Sequence, residues 1–224
     1  MNSMRSAPAV LISCSHAQRL DAQRWQSACK RLCDGLAALA LLLLLSPLLL
    51  AIALVIKLSS PGPVLFRQER EGRHGRRFIL LKFRTMRVGV ANPLGERQAV
   101  LEADGKLLKL RLDPRVTPAG RWLRKTSVDE LPQLWNVLRG EMSLVGPRPL
   151  IPFMLEGDQE FRRVRALVRP GLTGLWQLRD RANNTSAAAM RPHDLEYIQR
   201  FSLGLDFLIL LRTIPAVLAG KGAF

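Results

Sequence analysis

The chain has 224 residues and carries 34 Lys and Arg against 18 Asp and Glu, a formal charge of +16, with 48% hydrophobic residues. That length admits one domain, or one domain with an anchor, and the apolar fraction excludes a disordered polycation. Only one apolar stretch is long enough to reach across a bilayer, which excludes a polytopic membrane protein; the positive excess asks for nucleic acid, anionic lipid or a phosphorylated substrate as partner.

Residues 1–27 are mixed in character and are expected to form an N-terminal surface segment. Residues 18–34 can continue as an interfacial helix, with Trp25 at the water boundary. The cysteines, Cys14, Cys29 and Cys33, are odd in number and lack a CxxC pair. They outline neither a disulfide framework nor a zinc site.

Residues 35–56 read GLAALALLLLLSPLLLAIALVI, without a charge. At about 1.5 Å rise per residue this stretch could cross the roughly 30 Å hydrocarbon core once. A secretory signal fits poorly, because the charged lead-in is long and no small-residue cleavage site follows before Lys57. An ordinary span fits poorly too. Ser46-Pro47 sits at the centre, where proline removes a backbone hydrogen bond and kinks a helix. Both flanks are basic: Arg24, Lys30 and Arg31 precede the segment, and Lys57, Arg67, Arg70, Arg73, Arg76 and Arg77 follow it. Both ends therefore carry the signature of the cytoplasmic side. A re-entrant helix over residues 28–57, bent at Ser46-Pro47 and returning to the same face, satisfies both flanks, with a spanning helix as the alternative. Ser46 could bond a carbonyl that the proline frees. The expected location is the cytoplasmic (inner) membrane, with residues 58–224 as a monotopic, membrane-associated domain facing the cytoplasm.

Residues 62–84 pattern as a β-hairpin: 64–68 alternate, 71–75 supply turn residues and 78–84 form a second apolar run. Alternation places Lys82 and Arg84 on one face, where both could meet one phosphate; a solvated basic edge is the plainer explanation. Residues 88–97 read as loop, 99–109 as a short helix and 113–115 as a turn. A short helical or extended stretch begins at 119–123 and ends at Thr126-Ser127. Residues 131–138 carry helical apolar spacing, stopped by Arg139-Gly140. Three prolines and a glycine make 143–152 an ordered non-helical loop, and 169–174 is another. Residues 192–218 return to helix, with Asp206 and Arg212 interrupting the apolar face. A helix lying flat in the interface and an ordinary core helix both fit. The expected fold is α+β and mostly helical, with a re-entrant membrane helix, a small β-hairpin and interfacial amphipathic helices.

The adjacent acids Asp129-Glu130 are the centre of the chemistry. Their plainest explanation is capping: Ser127 caps and Glu130 bonds back, or Asp129 is itself the cap, which suits Pro132 in the first turn. The functional reading uses the same geometry. A helix N-terminus favours an ionised carboxylate, and Arg124 and Lys125 push the same way. An ionised carboxylate is a nucleophile toward phosphorus and a hard ligand for Mg²⁺. Arg148, held between Pro147 and Pro149, offers a planar fork for phosphate oxygens. Nucleophile, metal and cationic clamp are the parts of a phosphoryl-transfer site.

Residues 123–138 (LRKTSVDELPQLWNVL) and 140–149 (GEMSLVGPRP) resemble the signature of the bacterial sugar transferases, the monotopic polyprenyl-phosphate glycosyl-1-phosphate transferases. The likeness extends through KFRTM (82–86), DPR (113–115), RPGLTG (169–174), DLEYI (194–198) and Leu205-Asp206. Upstream, Lys30-Arg31-Leu32-Cys33-Asp34 and Ser46-Pro47 resemble the family's membrane anchor. The resemblance covers about residues 28–224.

It implies transfer of sugar 1-phosphate from a nucleotide-diphosphate sugar, usually a UDP-sugar, to undecaprenyl phosphate, with UMP leaving. In the family this is the first membrane step of exopolysaccharide, O-antigen or glycoconjugate synthesis. It implies Asp129 as the nucleophile that forms a covalent phosphosugar intermediate, Glu130 as its catalytic partner, and Mg²⁺ with Asp129 as metal ligand. Arg148 and Arg124 fall on active-site arginines; Lys82, Arg84, Arg115 and Arg181 complete the expected substrate-binding set. Residues 175–181 depart from the family, with Arg179 and Asp180 replacing an asparagine-glycine pair. Glu69 and Asp194 match family positions without an assignable role. Anionic membrane lipids are expected partners, and residues 192–224 could pair between subunits. The rival is a membrane-tethered, non-catalytic binder of nucleic acid or anionic lipid. Nucleic acid is disfavoured because the aromatic residues (6%) form no stacking ladder among the basic ones.

Overall fold

The computed structural model describes residues 24–90, 113–180 and 186–218. Expectations for residues 1–23, for the helix at 99–109 and for Arg181 lie outside the described residues.

Helix α1 (Arg24–Ser59) runs as one element through Pro47 and is long and apolar enough to cross a membrane. The local chemistry expected at its centre is present. Pro47 has no N–H to give the Leu43 carbonyl, and the Ser46 hydroxyl donates to that carbonyl at 2.8 Å.

Both halves of α1 lie on the same globular body. Ala38 is fully buried in the main core, with Ala37 and Leu42 packed beside it. Further along, Ile52 and Ile56 pack with Phe83 and Leu123. Fully burying one such isoleucine is worth about 1.5–3 kcal/mol. Leu43, Leu44, Leu48, Leu50 and Leu54 on the remaining faces stay exposed.

The hairpin forms as read. Strands β1 (Leu65–Glu71) and β2 (Arg77–Phe83) pair antiparallel, with Phe66 opposite Lys82 and Arg70 opposite Phe78. A tight turn at Arg73–Gly75 joins them, with His74 at φ 59°.

Helix α2 (Pro118–Thr126) starts where Thr117 accepts from the Gly120 N–H and ends at Ser127, which is left-handed at φ 57°. A 3-10 turn, Val128–Glu130, follows, and then α3 (Gln133–Arg139), closed by Gly140 at φ 80°. The capping reading is corrected here. Ser127 makes no side-chain cap bond to the turn it opens, and Pro132 rather than Asp129 occupies the N-cap of α3. Residues 127–132 are a corner between two helices, so the two acids are not consumed in starting one.

The two proline- and glycine-rich loops each contain a short strand that the sequence did not announce. Strands β3 (Ser143–Val145) and β4 (Gly171–Thr173) pair parallel, Ser143 opposite Gly171. Their exits pass so closely that a Cβ on Gly171 would sit 2.0 Å from the Gly146 nitrogen. Helices α4 (Gln159–Arg165) and α5 (Leu175–Arg179) flank β4.

The helix expected over 192–218 is two helices. Helix α6 (Ala187–Gln199) begins earlier, capped by Ser186 and carrying Pro192 inside, and α7 (Leu203–Leu218) follows the break at 200–202. Asp206 does not interrupt a solvent face. It is buried, 2.6 Å from the Lys30 ammonium and 2.8 Å from the Tyr197 hydroxyl. Lys30 also reaches Asp34 at 3.5 Å, and Asp34 accepts from Ser143. This buried polar knot ties the N-terminal arm of α1 to β3, α6 and α7.

Candidate active site

Three chain segments meet at one carboxylate. Lys82 comes from the end of β2, Glu130 from the 3-10 turn and Arg148 from the segment leaving β3. The Glu130 Oε1 lies 2.7 Å from the Lys82 ammonium and 2.9 Å from an Arg148 Nη.

Packing explains why these residues converge. Asn136 of α3 acts on the free edge of β2 as a strand backbone would. Its Oδ1 accepts from the Leu81 N–H at 3.1 Å, and its Nδ2 donates to the Ile79 carbonyl at 2.8 Å. This fixes β2, and Lys82 with it, against the corner that carries the acids. Arg148 lies 5.9 Å from the ring centre of buried Trp176. Its carbonyl accepts from Arg165, whose Nε donates to buried Asp194 at 2.8 Å. Asp194 therefore acts as the far support of Arg148.

Asp129 differs from its neighbour. Among the described residues no ion pair or hydrogen bond engages its half-buried carboxylate, although Lys82, Arg124 and Arg148 lie close enough to act on it. Burial pushes the carboxyl above the usual aspartate value; Lys82, Arg124 and Arg148 pull it back, and Glu130 pushes it further. The expectation of a carboxyl held ionised by a helix end and by Arg124 and Lys125 is corrected: no long helix starts there, Lys125 is exposed, and desolvation outweighs Arg124. Burial likewise pushes the Lys82 ammonium down against the pull of Glu130, while Glu130 holds the Arg148 guanidinium charged.

The other expected residues divide. Arg124 donates from Nε to the Thr85 hydroxyl at 2.9 Å and feels the charges of Asp129 and Asp113. Arg115 forms a two-point ion pair with Asp113 and faces Arg124. Arg84 is buried away from Lys82. It lies one residue beyond β2 and donates to the carbonyl of Ile56, one of those that the end of α1 leaves unsatisfied, and to those of Ser60 and Pro61 just past the helix. The structure therefore does not bring Lys82 and Arg84 to one phosphate. Glu69 pairs across the hairpin with exposed Arg77, and Arg179 pairs with Glu196.

One residue escaped the sequence reading. Arg70 shares the Lys82 face of the hairpin, as the register requires. It donates to the Pro149 carbonyl and to Gln68, and its buried Nε has no partner among the described residues. Burial pushes its guanidinium down to about 9, Arg148 acts the same way, and Glu130 opposes both. The alternation in residues 64–68, extended by one step, is the signal that could have found it.

Among the described residues no three acids, histidines or cysteines cluster as a metal cage. Mg²⁺ needs no such cage, because it binds through one or two carboxylates, waters and substrate phosphates. Adjacent carboxylates, one of them without a protein partner, suit it.

Known proteins are similar to this chain along most of its length. The bacterial sugar transferase family profile matches residues 25–220. The exopolysaccharide production protein ExoY of Rhizobium meliloti is 44% identical over 199 residues, covering 87% of this chain and 88% of its own. A UDP-glucose:undecaprenyl-phosphate glucose-1-phosphate transferase of Caulobacter vibrioides is 46% identical over 204 residues, 87% of this chain and 72% of its own. An undecaprenyl-phosphate glucose phosphotransferase of Komagataeibacter xylinus is 42% identical over 217 residues, 92% of this chain but 39% of its own. On this match along almost its whole length, the chain belongs to the bacterial sugar transferase family.

Proposed function

We propose that the protein is a polyprenyl-phosphate glycosyl-1-phosphate transferase that moves sugar 1-phosphate from a UDP-sugar to undecaprenyl phosphate and releases UMP. The observation that carries the reading is the division of labour at residues 129 and 130. Glu130 binds two cations in place, and the Asp129 carboxylate beside them is engaged by none of the described residues.

In the first half-reaction an Asp129 oxygen attacks the sugar-bearing phosphorus of the donor. The bond from that phosphorus to the bridging oxygen breaks, and UMP departs with the electron pair. In the second, an undecaprenyl phosphate oxygen attacks the same phosphorus and displaces Asp129, giving the lipid diphosphosugar and restoring the carboxylate. Lys82, Arg148 and Arg70 would stabilise the charge that develops on the phosphoryl oxygens, and Arg124 adds its charge at Asp129. Asp129 would hold Mg²⁺, which when bound neutralises diphosphate charge. A covalent intermediate lets one phosphate site serve a soluble donor and a lipid acceptor in turn.

The membrane reading is a re-entrant α1 in the cytoplasmic leaflet. Its support is that both arms of α1 pack on one domain, through Arg31 on the Val137 and Leu138 carbonyls and through Ile56 against Arg84. A helix crossing the bilayer carries its ends to opposite sides. The test is UMP release from a panel of UDP-sugars with Mg²⁺ and undecaprenyl phosphate. Wild type turns over and Asp129→Asn does not; equal rates would remove the assignment.

A further inference from the structure

A second cationic feature lies at the opposite end of the hairpin from Lys82. A shallow groove, open to solvent, is lined by Ser27 and Lys30 of α1, Arg73 of the hairpin turn, Leu167 and Arg169 ahead of β4, and Phe201.

Arg73 and Arg169 are held alike. The Nε of Arg73 donates to the Leu167 carbonyl at 3.1 Å, and the Nε of Arg169 donates to the Gly140 carbonyl at 2.9 Å. Neither has a carboxylate partner among the described residues. Each guanidinium is thus pinned at one nitrogen and keeps its terminal donors. The other cations are already spent: Arg31 on two carbonyls, Lys30 on Asp206 and Asp34. Burial, Arg73 and Arg31 push the Arg169 guanidinium down, with Asp34 opposing. The fold therefore holds Arg73 and Arg169 together without a carboxylate in contact with either among the described residues. Forked donors that converge from two sides suit the oxygens of one phosphate. Leu167 and Phe201 give the groove apolar walls, which suit a ligand whose phosphate continues into glycerol and acyl chains.

We propose that this groove binds the phosphodiester headgroup of an anionic membrane lipid, held between Arg73 and Arg169 at the base of the N-terminal arm of α1. The choice of a lipid over free phosphate rests on the membrane placement proposed above, which sets Ser27 and Lys30 at headgroup depth.

The test is native mass spectrometry of the full chain, purified in neutral detergent and supplied with phosphatidylglycerol or phosphatidylcholine. Wild type retains one phosphatidylglycerol per chain and no phosphatidylcholine; the Arg73→Gln/Arg169→Gln double variant retains neither. Arg67→Gln, at an exposed basic position, behaves as wild type. Retention by the double variant, or loss in Arg67→Gln, would overturn the site. Equal thermal stabilisation by inorganic phosphate and by phosphatidylglycerol would overturn the lipid source. UMP release is followed in parallel. Turnover with no lipid retained refutes the groove alone, and lipid retained without turnover refutes the catalytic reading alone.

Discussion

The Oε1 of Glu130 sits 2.7 Å from the Lys82 ammonium, and the same oxygen takes Arg148 at 2.9 Å. Glu130 is thereby the residue that sets the cations, and Asp129 is spared that task. Glu130→Gln leaves Lys82 and Arg148 facing each other across a neutral amide. Losing one partner of a fully buried ion pair costs about 3–5 kcal/mol; the partial exposure of these groups reduces the expected loss to about 2–3 kcal/mol. Urea unfolding at neutral pH measures it, and turnover falls with it.

Asp129→Asn is expected to abolish turnover and to stabilise the fold at neutral pH. The Asp129 carboxyl is pushed above its usual value by burial. The folded state therefore binds a proton that the unfolded state has released. The associated stability is complete below the unfolded value and is lost as pH rises through the folded one. The gain from asparagine should be present at pH 7 and vanish below the ordinary aspartate range. Paired melting curves across pH test the sign, and the acid limb of kcat/KM in wild type should lie above that range.

The parts of the fold legible in the sequence are those written in local periodicity. Residues 64–68 alternate and 71–75 turn, so the hairpin can be read; Arg139-Gly140 stops α3 because only a left-handed residue ends it there. Ser46-Pro47 can be read because the proline's missing N–H leaves one known carbonyl, at Leu43, to satisfy. Strands β3 and β4 are too short for a period to show, and their pairing is long-range. The site was legible as Asp129, Glu130 and Arg148, whereas their division of labour was not. It depends on Lys82 arriving from another element and on desolvation, neither of which spacing encodes. Arg84 was misplaced for the same reason: the carbonyls it serves lie at and just beyond the end of α1.

Arg70 is expected to serve turnover through its fork rather than its charge alone. Arg70→Lys keeps a cation and removes the buried, unengaged Nε. Replacing planar recognition by a point charge should lower kcat/KM by roughly 10-fold or more, about 1.4 kcal/mol of transition-state stabilisation. An unchanged kcat/KM would place Arg70 outside the site.

The knot at Lys30 fastens the membrane arm. Lys30→Met leaves Asp206 and Asp34 buried without their cation and should cost about 3–5 kcal/mol. Adding Asp206→Leu should recover part of the loss, because one uncompensated charge then goes too. Equilibrium denaturation in detergent of the two variants tests this coupling.

The two arms of α1 should face one side of the membrane. Exposed Cys29 and an introduced Ser59→Cys should react with a membrane-impermeant thiol reagent from the cytoplasmic side in inverted vesicles, and neither should react in intact cells. Labelling from opposite sides would require a span.

The most direct test concerns the bond to Asp129. Enzyme incubated with Mg²⁺ and its UDP-sugar, without lipid acceptor, should release one equivalent of UMP. It should also carry a sugar phosphate on the peptide containing Asp129, discharged when undecaprenyl phosphate is added. Turnover without any such adduct, with both substrates required before UMP appears, would contradict Asp129 as the nucleophile.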